Sequence, residues 1–125
     1  MQIRADRTDV SSLDALAEQA VQLCCAGEFV ALAESFGYAV AIGREPSSAI
    51  AEDLRLSCEG LGATHLASDA KFKTEVKYFK PGSFLLAVVE CTLPTNNGRA
   101  VLVELVVTER EGDVHVTLEQ ISAAA

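Results

Sequence analysis

Glu90, Glu104 and Glu119 are the residues best placed to do chemistry, because alternation along three successive strand-like segments puts all three carboxylates on one side of a sheet. Counting from the intervening turns sets Glu104 opposite Glu119, with Glu90 on the diagonal at roughly 7 Å. Such a cluster raises one pKa and supports general-acid or metal chemistry. In the same count Lys73 falls opposite Glu90, with Glu75 and Lys77 on that side, so the charges compensate as a solvated or interface ladder. The ladder is the stronger reading, and no catalytic residue is assigned.

The cysteines and histidines point the same way. Cys24, Cys25, Cys58 and Cys91 show no C-x-x-C spacing, and the adjacent pair diverges by about 100° on a helix. They read as small buried hydrophobes in a reducing compartment. His65 and His115 complete no zinc pattern with them, so no metal or cofactor is expected. Gly60-Leu61-Gly62 follows a helix, whereas a dinucleotide-binding loop needs a strand before it and a helix after it.

The positions of these residues depend on two kinds of period. Ser11 is the predicted cap of a first helix, with Asp14 in its positive first turn and Leu13, Leu16, Ala17, Ala20, Val21 and Cys24 at helical spacing. Ala26-Gly27 breaks it, and Glu28 to Phe36 repeats the pattern up to Gly37. Tyr38 to Gly43 is apolar but too short for its period to separate strand from loop. Pro46-Ser47-Ser48 starts a third helix with Ile50, Leu54, Cys58 and Leu61 on one face, closed by Gly60 and Gly62. Ala63 to Lys71 reads as a surface connection.

From Phe72 the period becomes two. Turns at Lys80-Pro81-Gly82-Ser83, Pro94 to Gly98 and Arg110 to Asp113 divide the rest into strands Phe72 to Lys80, Phe84 to Leu93, Arg99 to Glu109 and Val114 to Ser122, before an Ala123-Ala124-Ala125 tail. The predicted register pairs Thr74 with Val89 and Val76 with Ala87, then Cys91 with Val101 and Val89 with Val103, then Leu105 with Leu118 and Val107 with Val116. One face is then apolar and takes the helices. Its only inward polar groups are Thr74, Tyr78, Cys91 and Gln120, so Tyr38, Tyr78 and Gln120 are the candidate ligand-pocket residues.

The other face mixes Glu90, Glu104 and Glu119 with Phe79, Phe84, Leu86, Val88, Leu102, Val106 and Ile121. Exposed together, these apolar side chains make several hundred Å², enough to call for a covering molecule. A two-fold homodimer through this outer sheet face is the preferred expectation, and docking of a different protein on the same patch is the alternative.

A chain of 125 residues, half of them hydrophobic, suits a single domain over 1–125. Its formal net charge of -8 disfavours nucleic acid and anionic membrane and suits a basic partner or a neutral ligand. MQIRADRTDV has no apolar signal core and no run reaches the ~18 apolar residues of a membrane span, so the expected location is cytoplasmic.

Two helices around A-G-E-F-V-A-L-A-E-S-F-G, a third helix, and a meander ending G-D-V-H-V-T-L-E-Q-I resemble the NTF2-like or cystatin-like α+β domains. The layout is also similar to a group of small uncharacterised bacterial proteins. The resemblance implies about three N-terminal helices packed on one face of a C-terminal four-stranded antiparallel meander, with dimerisation through the outer sheet face frequent. Enzymes of these families place Asp, His or Tyr inside the helix-covered cone, and no inward position here supplies a general base. The expected function is a non-catalytic, self-associating binding module. The alternatives are an acidic immunity or inhibitor-type protein that occupies a basic toxin or nuclease, and an enzyme that uses the outer-face carboxylates.

Overall fold

In a computed structural model that describes residues 1–67 and 71–124, three helices cover one face of a five-stranded antiparallel sheet. The elements run β1 (Gln2–Ile3), α1 (Val10–Cys25), α2 (Phe29–Phe36), α3 (Pro46–Gly60), β2 (Lys73–Tyr78), β3 (Leu85–Pro94), β4 (Ala100–Arg110) and β5 (Asp113–Ala123). Across the sheet the order is β1-β5-β4-β3-β2. The four expected strands are therefore joined by a fifth: Gln2 and Ile3 pair with His115 and Val114, a strand too short to show any alternation. Tyr38 to Gly43 is irregular, and the Ala39 amide donates to the Leu118 carbonyl. Ser68 to Ala70 of the expected surface connection and Ala125 of the tail lie outside the described residues.

Caps place the helices. Asp9, and not Ser11, caps α1: its carboxylate accepts from the Ser12 amide at 3.2 Å and the Ser12 hydroxyl at 2.6 Å. Asp14 consequently lies beyond the first turn, where it accepts from the Thr74 hydroxyl and ties α1 to β2. Gly27, at φ +74°, turns the chain from α1 into α2 in a region that L side chains avoid. Glu45 caps α3 by accepting from the Ser47 and Ser48 amides, and Pro46 occupies the first turn, where no amide is needed.

The Ser47 hydroxyl, which donates to the same carboxylate at 2.6 Å, and after it the Ser47 and Ser48 amides favour the charged form of Glu45 and hold its pKa down at about 2, against an ordinary 4.5. The sign follows from linkage: a depressed carboxylate stabilises the fold fully above its ordinary value and loses that contribution as pH falls through about 2. An NMR acid titration of the Ser47 and Ser48 amides is expected to show its midpoint near 2. A midpoint at 4.5 would mean that the cap does not form in solution.

The sheet register decides which side chains meet the helices. β2 and β3 pair Thr74 with Cys91 and Val76 with Val89, and β3 and β4 pair Cys91 with Val103 and Val89 with Leu105. Each hairpin is offset by two residues from the expected register, so the facing partners change while the side chains from Ala87 to Leu93 keep their sides; only before Ala87, at a bulge in β3, does alternation break. In the second hairpin the cause is Pro94, which belongs to β3 and not to the turn. Beyond the end of β2 no neighbouring strand needs a proline amide, and the Pro94 carbonyl accepts from Ala67.

The third hairpin closes as expected, with Leu105 opposite Leu118 and Val107 opposite Val116. Glu111 and Gly112 both take positive φ there, the pair of angles that a two-residue turn needs to match strand twist. Past Leu118 a bulge at Glu119 inserts one residue, so Gln120 pairs with Glu104 and Ile121 with Val103. The two residues thereby exchange faces relative to the expectation. Ile121 enters the core and Gln120 is exposed.

The core is one cluster. Leu13, Leu32, Phe36 and Ile50 of the helices are sealed against Val89, Leu93, Val101, Leu105, Val107 and Leu118 of the sheet. Cys24, Cys58 and Cys91 are buried within it as expected, whereas Cys25 faces solvent. Burial pushes the Cys24 and Cys91 thiols up to about 12, which keeps them protonated and unreactive at neutral pH.

Candidate functional site

The face of the sheet away from the helices is the best candidate for a working surface. Alternation along β3 and β4 leaves Val88, Glu90, Thr92, Leu102, Glu104 and Val106 half-buried there, while their neighbours in sequence are sealed beneath the helices. Glu75, Glu90 and Glu104 stand directly opposite one another across β2, β3 and β4, and Gln120 of β5 extends the row. The ladder at Glu90 and Glu104 is the closer, non-hydrogen-bonded kind of pair, since neighbouring Cys91 and Val103 fall on the bonded rungs continued by the Thr95 amide to the Arg99 carbonyl.

Like charges directly opposite destabilise a sheet. Two contacts offset this: the Lys77 ammonium meets the Glu90 carboxylate at 2.5 Å, and the Gln120 side-chain amide donates to Glu104 at 2.6 Å. The Glu90 carboxylate holds the Lys77 pKa up, with Glu75 and Glu104 adding to the effect. Lys77 thus pairs with Glu90 and feels Glu75 and Glu104 at longer range, while Lys73 flanks Glu75 and Glu90 on the same face.

Several sequence-based expectations for this face are corrected. Glu119 is not opposite Glu104, because it is the bulge residue, and Glu90 is directly across from Glu104 and not diagonal. Lys73 faces Thr92, which leaves Glu75 as the third member of the row. Leu86 stands at a second bulge and packs against the core, and Ile121 is buried. Val88, Leu102 and Val106 remain on the outer face, while Phe79 and Phe84 are exposed near one end, with the Arg110 guanidinium 5.1 Å above the Phe84 ring.

The three ligand-pocket candidates are dispersed. Tyr38 is buried and donates to Asp53 at 2.6 Å, and Arg44 grips the same carboxylate with both terminal nitrogens, at 3.0 and 3.2 Å. Burial and the Asp53 hydrogen bond push the Tyr38 phenol up, while Arg44 first and Tyr38 second pull Asp53 down. The cluster pins the irregular 38–43 segment to α3. Tyr78 is half-exposed and donates to the Thr8 carbonyl, and Gln120 lies on the opposite side of the sheet.

A cleft of about 410 Å³ opens where the end of α1 and the start of α2 meet α3, lined by Cys24, Cys25, Phe29, Leu54, Cys58 and His65. Residues far apart in sequence build it, and no local pattern announces it. The Thr64 hydroxyl engages His65 Nδ1 at 2.7 Å. Among the described residues no three His, Cys, Asp or Glu side chains gather closely enough to hold a metal ion.

The fold and this surface together define an α+β domain with three helices on one face of an antiparallel sheet and an acidic, partly apolar face on the other. No protein-family model, curated protein or solved structure matches the chain. No helix among the described residues is long and apolar enough to cross a membrane.

Proposed function

We propose that the protein is a non-catalytic binding module that docks a basic protein surface on the outer face of its sheet. The observation that carries this reading is the in-register row of Glu75, Glu90 and Glu104 beside Val88, Leu102 and Val106. Such a row costs stability in the free protein and gains it back against Lys or Arg, while the aliphatic neighbours supply burial. The net charge of -8 steers a basic partner toward it. An immunity or inhibitor-type role is the case in which that partner is a toxin or nuclease. The three-helix, antiparallel layout is the observation behind an NTF2-like or cystatin-like reading, and the free thiols suit the cytoplasm.

Self-association through the same face is the second reading, favoured by its aliphatic side chains. It is the weaker of the two, because a dyad on this face brings two carboxylate rows together. The enzyme reading rests on the same glutamates and predicts a turnover that Glu104→Gln abolishes.

The test is affinity capture across a salt series with wild-type protein and a Glu90→Lys/Glu104→Lys variant. Wild type is expected to retain a basic protein at low salt, and the double charge reversal to weaken retention by about tenfold or more. Retention indifferent to both salt and charge reversal would remove the docking reading.

A further inference from the structure

The free edge of the sheet carries an inference independent of the docking face. β2 is an edge strand, and its hydrogen-bond phase is set from both sides. The Thr95 amide donates to Arg99, which puts Cys91 and Val89 on the rungs bonded to β4, so Glu90 and Val88 bond toward β2. The Phe79 amide donating to Leu86 gives the same phase from the other end. Glu75 and Lys77 therefore spend their backbone groups on β3, and those of Thr74, Val76 and Tyr78 point outward. Among the described residues no backbone hydrogen bond reaches these outward groups. α1 packs over the face of β2 and β3 and meets β2 through Asp14 and Thr74.

We propose that β2 pairs antiparallel with β2 of a second copy about a two-fold axis at Val76, joining the two sheets into one. This register sets Val76 against itself and Thr74 against Tyr78 of the second copy, so each of the three outward rungs makes two hydrogen bonds. It also sets Glu75 opposite Lys77 of the second copy, and Lys77 opposite Glu75, at the closely spaced non-bonded positions where side chains meet. Moving the axis one residue to Glu75 sets glutamate against glutamate and lysine against lysine. The order Lys73-Glu75-Lys77 is thus complementary to itself in the register that also satisfies the most backbone groups. Lysines commonly protect an edge from pairing, but a glutamate between two of them supplies the matching charge. Lys77 would then share its ammonium between Glu90 of its own chain and Glu75 of the other, which relieves the carboxylate row. Both outer faces stay open for a partner.

A strand-edge interface is small, so the dimer is expected to be weak and to populate at about 0.1 mM. Sedimentation across a concentration series should show it, and hydrogen exchange at the Thr74, Val76 and Tyr78 amides should slow as concentration rises. Glu75→Lys should weaken dimerisation by about tenfold, and Glu75→Lys/Lys77→Glu should restore it by exchanging both charges at once. In the double variant the introduced lysine faces Glu90 within its own chain, which balances the introduced glutamate. A monomer at all concentrations, or a dimer whose three amides exchange as in the monomer, would overturn the proposal. The second result would move self-association to the outer face, and neither bears on capture of a basic protein. Should Glu75→Lys fail to fold, the wild-type exchange data decide alone.

Discussion

Ile121→Asp is expected to unfold the protein at room temperature, while Gln120→Thr leaves stability within about 0.5 kcal/mol of wild type. Ile121 is 7% exposed and lies in the core opposite Val103, with the Tyr38 phenol close to its backbone, so an aspartate there is buried in a largely apolar layer. Burying a carboxylate without a partner costs several kcal/mol, or neutralises it at a comparable cost. That is a large part of the roughly 5–15 kcal/mol that typically holds a domain together. Gln120 is exposed, and its replacement forgoes one surface hydrogen bond to Glu104. Urea denaturation of both variants measures the contrast. The opposite ranking would show that strict alternation continues through Glu119 and that the bulge is absent.

The second large effect is expected from Leu105→Ala, which should lower stability by about 2–5 kcal/mol. Leu105 is fully buried between Val89 and Leu118 on the central strands, under the helices. The surrounding strands are fixed by their ladders, so the space left behind cannot close. The adjacent Val106→Ala, on the half-buried outer face, should cost about 1 kcal/mol or less. The readout is a fall in the urea midpoint with an unchanged slope, which marks lost stability and not an altered unfolded state. Equal losses at the two positions would mean that both faces are covered, the result that obligate association through the outer face predicts.

The two offset hairpins show why the faces were legible before the pairings. Moving β2 or β4 by two residues changes which residues meet, yet leaves Val89, Cys91, Val103 and Leu105 beneath the helices and Glu90 and Glu104 outside. An even displacement is invisible to alternation. The inserted residues Leu86 and Glu119 are odd ones: Leu86 packs against the core, and Glu119 exchanges Gln120 with Ile121. Nothing in Leu118-Glu119-Gln120-Ile121 marks a bulge, because both arrangements use the same backbone propensities.

The candidate site was legible to the same extent. Glu90 and Glu104 could be assigned to one face from their own strands. That Glu75 completes the row depends on how many residues the first hairpin spends between Phe79 and Leu86, where the loop is wider than a two-residue turn. The Asp9 cap is not legible in the sequence, because Asp9, Ser11 and Ser12 are all good caps and a start at any of them leaves the apolar stripe of α1 in the same phase.

Period, punctuation and charge, each readable within a few residues, were enough for three helices, a meander, its apolar side and an acidic surface. Pairing partners, the bulge at Glu119, the short strand at Gln2 and the thiol-lined cleft required distant segments to be packed together. The physical reason is that a side chain's direction follows from its own backbone, whereas its neighbour across a sheet follows from loop lengths and from the free energy of the whole packed layer.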